Sequence, residues 1–457
     1  MNDLGVALNA VKNDDWFALE KRLETCRAIV EALGETKRVR HFPVHRTFCL
    51  FLWQVLSAER SCSEVVHAFV AWCAHNHEAQ ASPNTAAYCG ARQRLNLKTI
   101  QSVLDTLATY VAHQASSKQR WYGRRVALVD GTGLSMPDTP ENQKEYPQAK
   151  SSKPGCGFPQ MKLVAVFCLA TGALLRHAQS HRLVGELTLF RQMWDVLHSG
   201  DVVLADRGFC NFADYYRLGL RNIDCVMRLH QRRTKGVTLV KRLGPGDEVV
   251  QWHKSKPTPK GFTKEQWADL PETLTVRHIT FTPNVPGFRT KKITVATTLT
   301  DHEEFPVNAF VELYRRRWLV ELFLRDIKIT LGMDILRCKT PEMIEKELTM
   351  HLIAYNLIRL TMLQAAIKGK IDIERISFKG TLQTLRQWTP YIRLAAVEHQ
   401  ERLFQTMLAA IVRVPVPHRP NRTEPRVKKR RMKNYQLMTK PRHQMVESPH
   451  RNQYRKQ

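Results

Sequence analysis

The chain has 457 residues and ten cysteines, and no two of the cysteines form a CxxC pair. They stand scattered at 26, 49, 62, 73, 89, 156, 168, 210, 225 and 338, which argues against a zinc ribbon or a thioredoxin-like motif. Cys49 and Cys168 sit in apolar runs, where a thiol acts as a small hydrophobe, and a reducing cytosol is the compartment expected. Long apolar runs are missing too. The longest, Leu348 to Leu363, is interrupted by His351, Asn356 and Arg359, so it reads as a buried core helix and not a membrane span. The opening residues MNDLGVALNAVKNDDWF lack the basic-then-apolar pattern of a secretory leader. No internal repeat is evident. Acid is in short supply: 42 Asp and Glu stand against 70 Lys and Arg, a net charge of +28. Such an excess favours a polyanion, most simply nucleic acid, through counterion release. Ribosomal and membrane-surface proteins can be as basic, so the charge narrows the partner and not the reaction.

What is present is ordinary in bulk, with 43% hydrophobic and 25% charged residues. Residues 1–120 read as helical. Ser61 with Glu64 forms a capping box ahead of Val65, Val66 and Phe69. Ser82-Pro83-Asn84 then reads as the start of a second helix bearing Arg92 and Arg94. Helix, short turn and arginine-bearing helix fit a DNA-binding helix-turn-helix, and equally a plain packing unit. From 123 to 230, strands alternate with helices: Arg125–Val129, a hairpin Met161–Leu169 and Ala173–Ala178, then Asp201–Ala205 and Cys225–Leu229 with helices between them. This pattern predicts an α/β fold, a mixed sheet with helices on its faces. Residues 231–290 break the rhythm with Gly, Pro and short β-like pieces, as an inserted β-rich subdomain would. Lys291–Leu299 is one more strand. Long helices are expected over Val307–Leu331 and Pro341–Ile367, and a helical stretch over 380–413. From 414 the chain is Pro-rich and basic, with Lys428-Lys429-Arg430-Arg431, a composition that predicts a disordered tail attracting DNA without specificity.

The segment YRRRWLVELFLRDIK carries the strongest local pattern. At about 100° per residue, Tyr314, Arg317, Glu321 and Lys328 fall on one narrow stripe of a helix. Leu313, Val320, Leu324, Ile327 and Leu331 form a second stripe that can be buried. Taken alone, this is a solvated helix with ion pairs as readily as a phosphodiester site. Two further carboxylates change the balance. VALVDGT puts Asp130 at the end of an apolar strand, and VVLADRGF does the same for Asp206. Converging carboxylate oxygens suit Mg²⁺ or Mn²⁺, and a pair of such ions serves in-line phosphoryl displacement.

Asp130 in VDGT, Asp206 in DRGF and the Tyr314, Arg317, Glu321, Lys328 set together resemble bacterial insertion-sequence DDE transposases of the IS-four family. The resemblance covers roughly residues 40 to 370, including AYNLIR at Ala354–Arg359. It implies a ribonuclease-H-like mixed-sheet core at 121–370, interrupted by the β-rich insertion at 231–290. A helical N-terminal DNA-binding domain at 1–120, a helical C-terminal region at 371–413 and the basic tail at 414–457 complete the expected division. It further implies Asp130, Asp206 and Glu321 as catalytic metal ligands for Mg²⁺, with Mn²⁺ as a substitute. Tyr314, Arg317 and Lys328 would grip phosphates. The implied activity is cleavage of double-stranded DNA at transposon terminal inverted repeats and strand transfer into target DNA, through a hairpin. A homodimer in the synaptic complex, no membrane partner, and a bacterial cytoplasmic, nucleoid-associated location are also implied. A related nuclease without strand transfer, or a catalytically inactive or domesticated DNA-binding protein, remains the alternative.

Several residues keep two readings. Trp318 could stack on a base or fill the core. The resemblance also implies an aromatic of the inserted β region that holds a flipped base, with Trp252 and Trp267 as candidates, whereas the strand at 291–301 departs from the family by carrying no Trp. Arg207 could touch DNA or cap the following helix. Arg228 and His230 end a strand on the side of Asp206 and are candidate phosphate contacts. Asp326 and Glu312 point away from the stripe and are expected to be solvated.

Overall fold

The computed structural model describes residues 41–230, 233, 236–259, 261–282, 292–417 and 438–445. The expectations for residues 1–40 and for the basic run at 428–431 lie outside them. Among the described residues four helices come first: α1 (Val44–Leu56), α2 (Cys62–His75), α3 (Ala86–Arg94) and α4 (Leu97–His113). α2 starts where its sequence signal puts it, with the Glu64 N–H donating to Ser61 Oγ at 3.1 Å. α3 starts later than Ser82-Pro83 suggests. Ser82 Oγ takes the Asn84 N–H, and Asn84 Oδ1 takes the Ala86 N–H, so two side-chain turns precede the helix. α1 and α4 share one core with the sheet through Phe48, Phe51, Ile100 and Val103, whereas α2 and α3 close over a small cluster of their own around Phe42, Phe69 and Tyr88.

The sheet follows: β1 (Val126–Ser135), α5 (Pro140–Glu145), β2 (Gln160–Cys168), β3 (Leu174–His181), α6 (Glu186–Arg191), β4 (Val202–Ala205), α7 (Phe212–Gly219) and β5 (Asp224–Arg228). Next come β6 (Val237–Gly244), β7 (Asp247–His253), α8 (Lys264–Ala268), β8 (Thr273–Phe281) and β9 (Ile293–Thr297). The β2–β3 hairpin turns at Gly172, where φ is +69° and a Cβ would lie 2.1 Å from the Arg359 guanidinium, so only glycine serves. All nine strands form one sheet, in the order β3-β2-β1-β4-β5-β9-β8-β7-β6. β1, β4 and β5 run parallel, and every other neighbouring pair is antiparallel. The inserted β-rich segment is therefore a meander that extends the same sheet through β9. Its buried Arg277 holds both carboxylate oxygens of Asp247 at 2.7 Å and donates to the Asp301 and Phe305 carbonyls. That pair ties the insertion to the loop entering the next helix.

The helical remainder is α9 (Val307–Arg316), α10 (Leu319–Arg325), a π turn (Asp326–Thr330), α11 (Pro341–Gly369), α12 (Phe378–Leu394) and α13 (Val397–Val412). The single helix expected over 307–331 is thus two helices and a π turn, and the stretch at 380–413 is two helices parted at Ala395-Ala396. α11 is the central helix, buried on nearly every side from Met343 to Ala366. Asn356 pins it to β3 by accepting the Leu174 N–H at 2.8 Å and donating to the Leu174 carbonyl at 3.0 Å. Among the described residues no helix is long and apolar enough to cross a membrane.

Candidate active site

The parallel strands β1, β4 and β5 are in register at Val129, Ala205 and Met227. The next residue on each is Asp130, Asp206 and Arg228, so one step along the sheet sets out two acids and a base side by side. The sequence reading placed Asp130 at a strand end, and this needs correction. β1 continues to Ser135 against β2, with Asp130 opposite Ala165, but its pairing with β4 stops at Val129. Asp130 therefore stands at the fork where β1 and β4 part, the kind of crevice where open α/β sheets bind ligands. Gly131, on the opposite face, lies against the Glu186 side chain, whose Oε1 would be 2.7 Å from a Cβ there. Thr132 returns to the face of Asp130.

The helix bearing Glu321 is fastened over this face. Its apolar stripe of Leu313, Val320, Leu324, Ile327 and Leu331 is buried as expected. Lys328 Nζ donates to Thr132 Oγ1 at 3.0 Å. Beyond the π turn, the Ser135 N–H donates to the Asp334 carbonyl at 3.0 Å and the Leu336 N–H to the Ser135 carbonyl at 2.9 Å. The helix is also irregular on either side of Glu321. Arg317, Val320 and Glu321 N–H groups bond three residues back, at 3.1 to 3.2 Å, and Leu331 bonds five back to Asp326 at 2.9 Å. Tight winding before the acid and loose winding after it are departures that recur at functional sites.

Burial pushes the Asp130 carboxyl up to about 6; Gly131 N–H and Arg317 oppose this, and the charges of Asp206 and Glu321 add to it. Asp130 therefore feels the charge of both other acids. Arg317 Nη2 donates to Glu321 Oε1 at 2.8 Å, and its guanidinium stands 6.0 Å from the Tyr314 ring centre. Burial pulls the Arg317 pKa down, but Glu321, Tyr314 and Asp130 together carry it above its ordinary value. The Tyr314 phenol is raised by burial, with Arg317 and Arg228 opposing and Asp206 adding. Arg228 thus belongs electrostatically to the same group.

The other candidates fall in different places. Arg207 is exposed, and Asn211 caps α7 by accepting the Asp214 N–H at 2.9 Å, so Arg207 is not the cap. His230 is half-buried, close to the Cys210 thiol through its backbone. Arg94 is exposed. Arg92 is a correction: it is only 8% exposed, donates to Gln54 Oε1 at 2.8 Å and stacks over Phe51 and Tyr88, so packing and not DNA takes up its charge. Trp318 is 47% exposed, which removes the core-filling alternative. Trp252 and Trp267 are buried, donating Nε1–H to His278 and to the Ser255 carbonyl, and neither offers a face to a flipped base. Asp326 is buried and not solvated, with Arg325 and Thr330 donating to its carboxylate; Glu312 is exposed. Thr132 was missed, although strand alternation from Asp130 pointed to it.

The stretch from 121 to 357 matches the family model of the transposase DDE domain. The chain belongs to the DDE transposase family. It is 27% identical over 419 residues to "Transposase InsG for insertion sequence element IS4" of Escherichia coli (strain K12), covering 90% of each chain. A second relative, "Putative transposase InsZ" of the same organism, is 26% identical over 125 residues, covering 27% of this chain and 42% of that one. The transposase is also similar to the piggyBac transposase in a cryo-EM synaptic complex with hairpin DNA, at a TM-score of 0.42 and 9% identity, covering 84% of this chain and 81% of that one.

Enzymes of this family generally work with divalent metal ions. The transposase's donor set fits such an ion in kind: three carboxylates, of which Asp130 feels the charge of the other two, and hard oxygens throughout. In arrangement they are not gathered. Among the described residues no three acidic, histidine or cysteine side chains close into a ligand cluster, and the Arg317 bond engages one oxygen of Glu321.

Proposed function

We propose that this transposase cleaves double-stranded DNA at the inverted repeats of its element and joins the freed 3′ ends to target DNA, with Asp130, Asp206 and Glu321 as the catalytic carboxylates. The observation that carries the reading is the half-buried Asp130 carboxyl at the β1–β4 fork, one register step from Asp206, with the charges of Asp206, Glu321 and Arg317 acting on it. A ribonuclease-H-like core is supported by the order β3-β2-β1-β4-β5, with an antiparallel hairpin on one side of β1 and parallel strands on the other. The three carboxylates would hold Mg²⁺, which supplies Lewis acidity to phosphoryl transfer when bound.

The chain's own residues perform the rest. In cleavage, the oxygen of water attacks phosphorus and the phosphodiester bond to the 3′ oxygen breaks. In joining, that 3′ oxygen attacks a target phosphorus and displaces the target's own 3′ oxygen. Arg317 can present a fork of donors to a phosphate, and Lys328 a point charge. Tyr314 and Arg228 line the same crevice. A hairpin route needs an aromatic at a flipped base, and Trp318, exposed next to Arg317, is the candidate that the burial of Trp252 and Trp267 leaves. The exposed Arg94 and Arg207 would add backbone contacts. Joining two ends calls for a homodimer in the synaptic complex, working in the bacterial cytoplasm at the nucleoid. The division at residues 120, 370 and 413 is carried forward on this reading, with the α2–α3 cluster as its DNA-binding part.

Asp130→Ala, Asp206→Ala and Glu321→Ala are each expected to abolish Mg²⁺-dependent cleavage of labelled terminal-repeat DNA while binding to that DNA survives. Full cleavage by any one variant removes its residue from the site. A target plasmid in the same reaction distinguishes a transposase from a plain nuclease by whether joined products form.

A further inference from the structure

The turn between α1 and α2 reaches the catalytic helix through one side chain. Arg60, at φ +55°, has its N–H held by Ser57 Oγ at 3.1 Å and its carbonyl by Gln54 Nε2 at 3.1 Å. Its guanidinium crosses to the far end of the π turn, where Nη1 donates to the Leu331 carbonyl at 2.7 Å. It lies on the bare backbone of Gly332, φ +70°, where a Cβ would come within 1.1 Å of Nη1. Two backbone positions unusual for L side chains therefore meet at this contact. The π turn so gripped carries Lys328, whose carbonyl takes the Asp334 N–H at 3.2 Å and whose ammonium donates to Thr132. On the other side, Gln54 Oε1 accepts from Tyr88 and Arg92 of α3, at 2.9 and 2.8 Å. A continuous polar chain thus runs from α3 through Gln54 and Arg60 to the π turn, Lys328 and the strand of Asp130.

We infer that Arg60 is a positioning residue for catalysis, holding the π turn so that Lys328 is presented at the carboxylate crevice. The argument is mechanical. A π turn has one residue more per loop than the helix it interrupts, and it persists only where its surroundings hold it. Here one hold at its C-terminal end is the Arg60 hydrogen bond to Leu331, beside the Asp334 and Leu336 bonds to Ser135, and Gly332 makes room for it. Arg60 touches no candidate metal ligand and acts only through the backbone at Leu331. The inference rests on the reading of Lys328 as a phosphate contact.

The experiment compares Arg60→Ala, Arg60→Lys, Gly332→Ala, Lys328→Ala and the double variant Arg60→Ala/Lys328→Ala. It measures melting temperature, affinity for terminal-repeat DNA, and single-turnover cleavage of bound DNA with Mg²⁺. Arg60→Ala is expected to leave affinity unchanged and to slow cleavage of bound DNA on the order of 10- to 100-fold, the effect of a small misplacement. Arg60→Lys restores part of the rate, since an ammonium can still donate to the Leu331 carbonyl. Gly332→Ala, which expels the guanidinium, slows cleavage as Arg60→Ala does, and carries the test if Arg60→Ala fails to fold. The double variant is no slower than Lys328→Ala alone, because Arg60 acts through Lys328. Additive losses in the double variant, or wild-type cleavage by Arg60→Ala beside a slow Lys328→Ala, overturn the inference while leaving Lys328 in its role. Wild-type cleavage by Lys328→Ala overturns the reading of Lys328 itself.

Discussion

Arg317 and Arg92 share a local setting and have opposite fates. Each stands on or beside a helix, each lies by aromatic rings, and each donates one hydrogen bond of 2.8 Å to an oxygen four or more residues away. Arg317 meets the carboxylate of Glu321, feels Asp130, and keeps an open side on the crevice. Arg92 meets the neutral amide of Gln54 beneath Phe51 and Tyr88, with no open side. The difference lies in what the rest of the fold brings opposite. A sheet fork with two acids faces Arg317, and the packing of α1 faces Arg92. An arginine at helical spacing is thus a contact for DNA or a part of the core according to partners that are distant in sequence.

The comparison can be broken by substitution. Arg317→Ala removes the cation among three carboxylates and is expected to slow single-turnover cleavage on the order of 10²- to 10³-fold, with the folded protein as stable to urea as before. A loss of stability with normal cleavage would move Arg317 into the class of Arg92. Arg92→Ala should do the reverse, lowering the urea-unfolding free energy by about 2 kcal/mol through the lost buried hydrogen bond, while the salt dependence of DNA binding stays unchanged. A flatter salt slope without destabilisation would return Arg92 to the DNA surface.

Trp318→Ala sharpens the contrast between exposed and buried aromatics. It should leave stability within about 0.5 kcal/mol and weaken binding to end DNA with an unpaired terminal base by about 1–2 kcal/mol. Equal binding to paired and unpaired ends would rule out stacking. The smallest expected effect is on pH dependence. The Asp130 carboxyl is raised to about 6 in the fold, above its unfolded value, so folding binds a proton between those values. Its contribution therefore falls as pH rises through that window, and the cost is complete above pH 6. Asp130→Asn should stabilise the protein at pH 7.5, in chelator, by on the order of 1 kcal/mol, with the gain gone near pH 4. Half-buried His177 and His278, lowered to about 4, and buried His351, lowered to about 3, slope the other way, so the quantity to measure is the difference between variant and wild type at each pH.

Much of the fold follows from local rules. Short apolar runs gave the strands, Ser61 gave a helix start, and the hundred-degree advance of a helix put Tyr314, Arg317, Glu321 and Lys328 on one side with a buried stripe beside them. VDGT and DRGF marked the two acids because an apolar run ending in aspartate is visible in a few residues. These features depend on a chain's own geometry over one or two turns, which any sequence displays.

What the tertiary structure decided involves partners far apart. The sequence does not show that β6 to β8 join the main sheet, that Trp252, Trp267 and Arg92 turn inward, or that Asp130 lies mid-strand at a fork, since each depends on which distant strand or helix packs opposite. Thr132 beneath Lys328 joins residues 196 apart, and Arg60 on Leu331 joins residues 271 apart. Sequence alone determined which residues could do the chemistry, because charge and hydrogen-bonding capacity belong to the side chain. Tertiary structure decided which of them meet, because burial and electrostatic neighbours belong to the assembled fold.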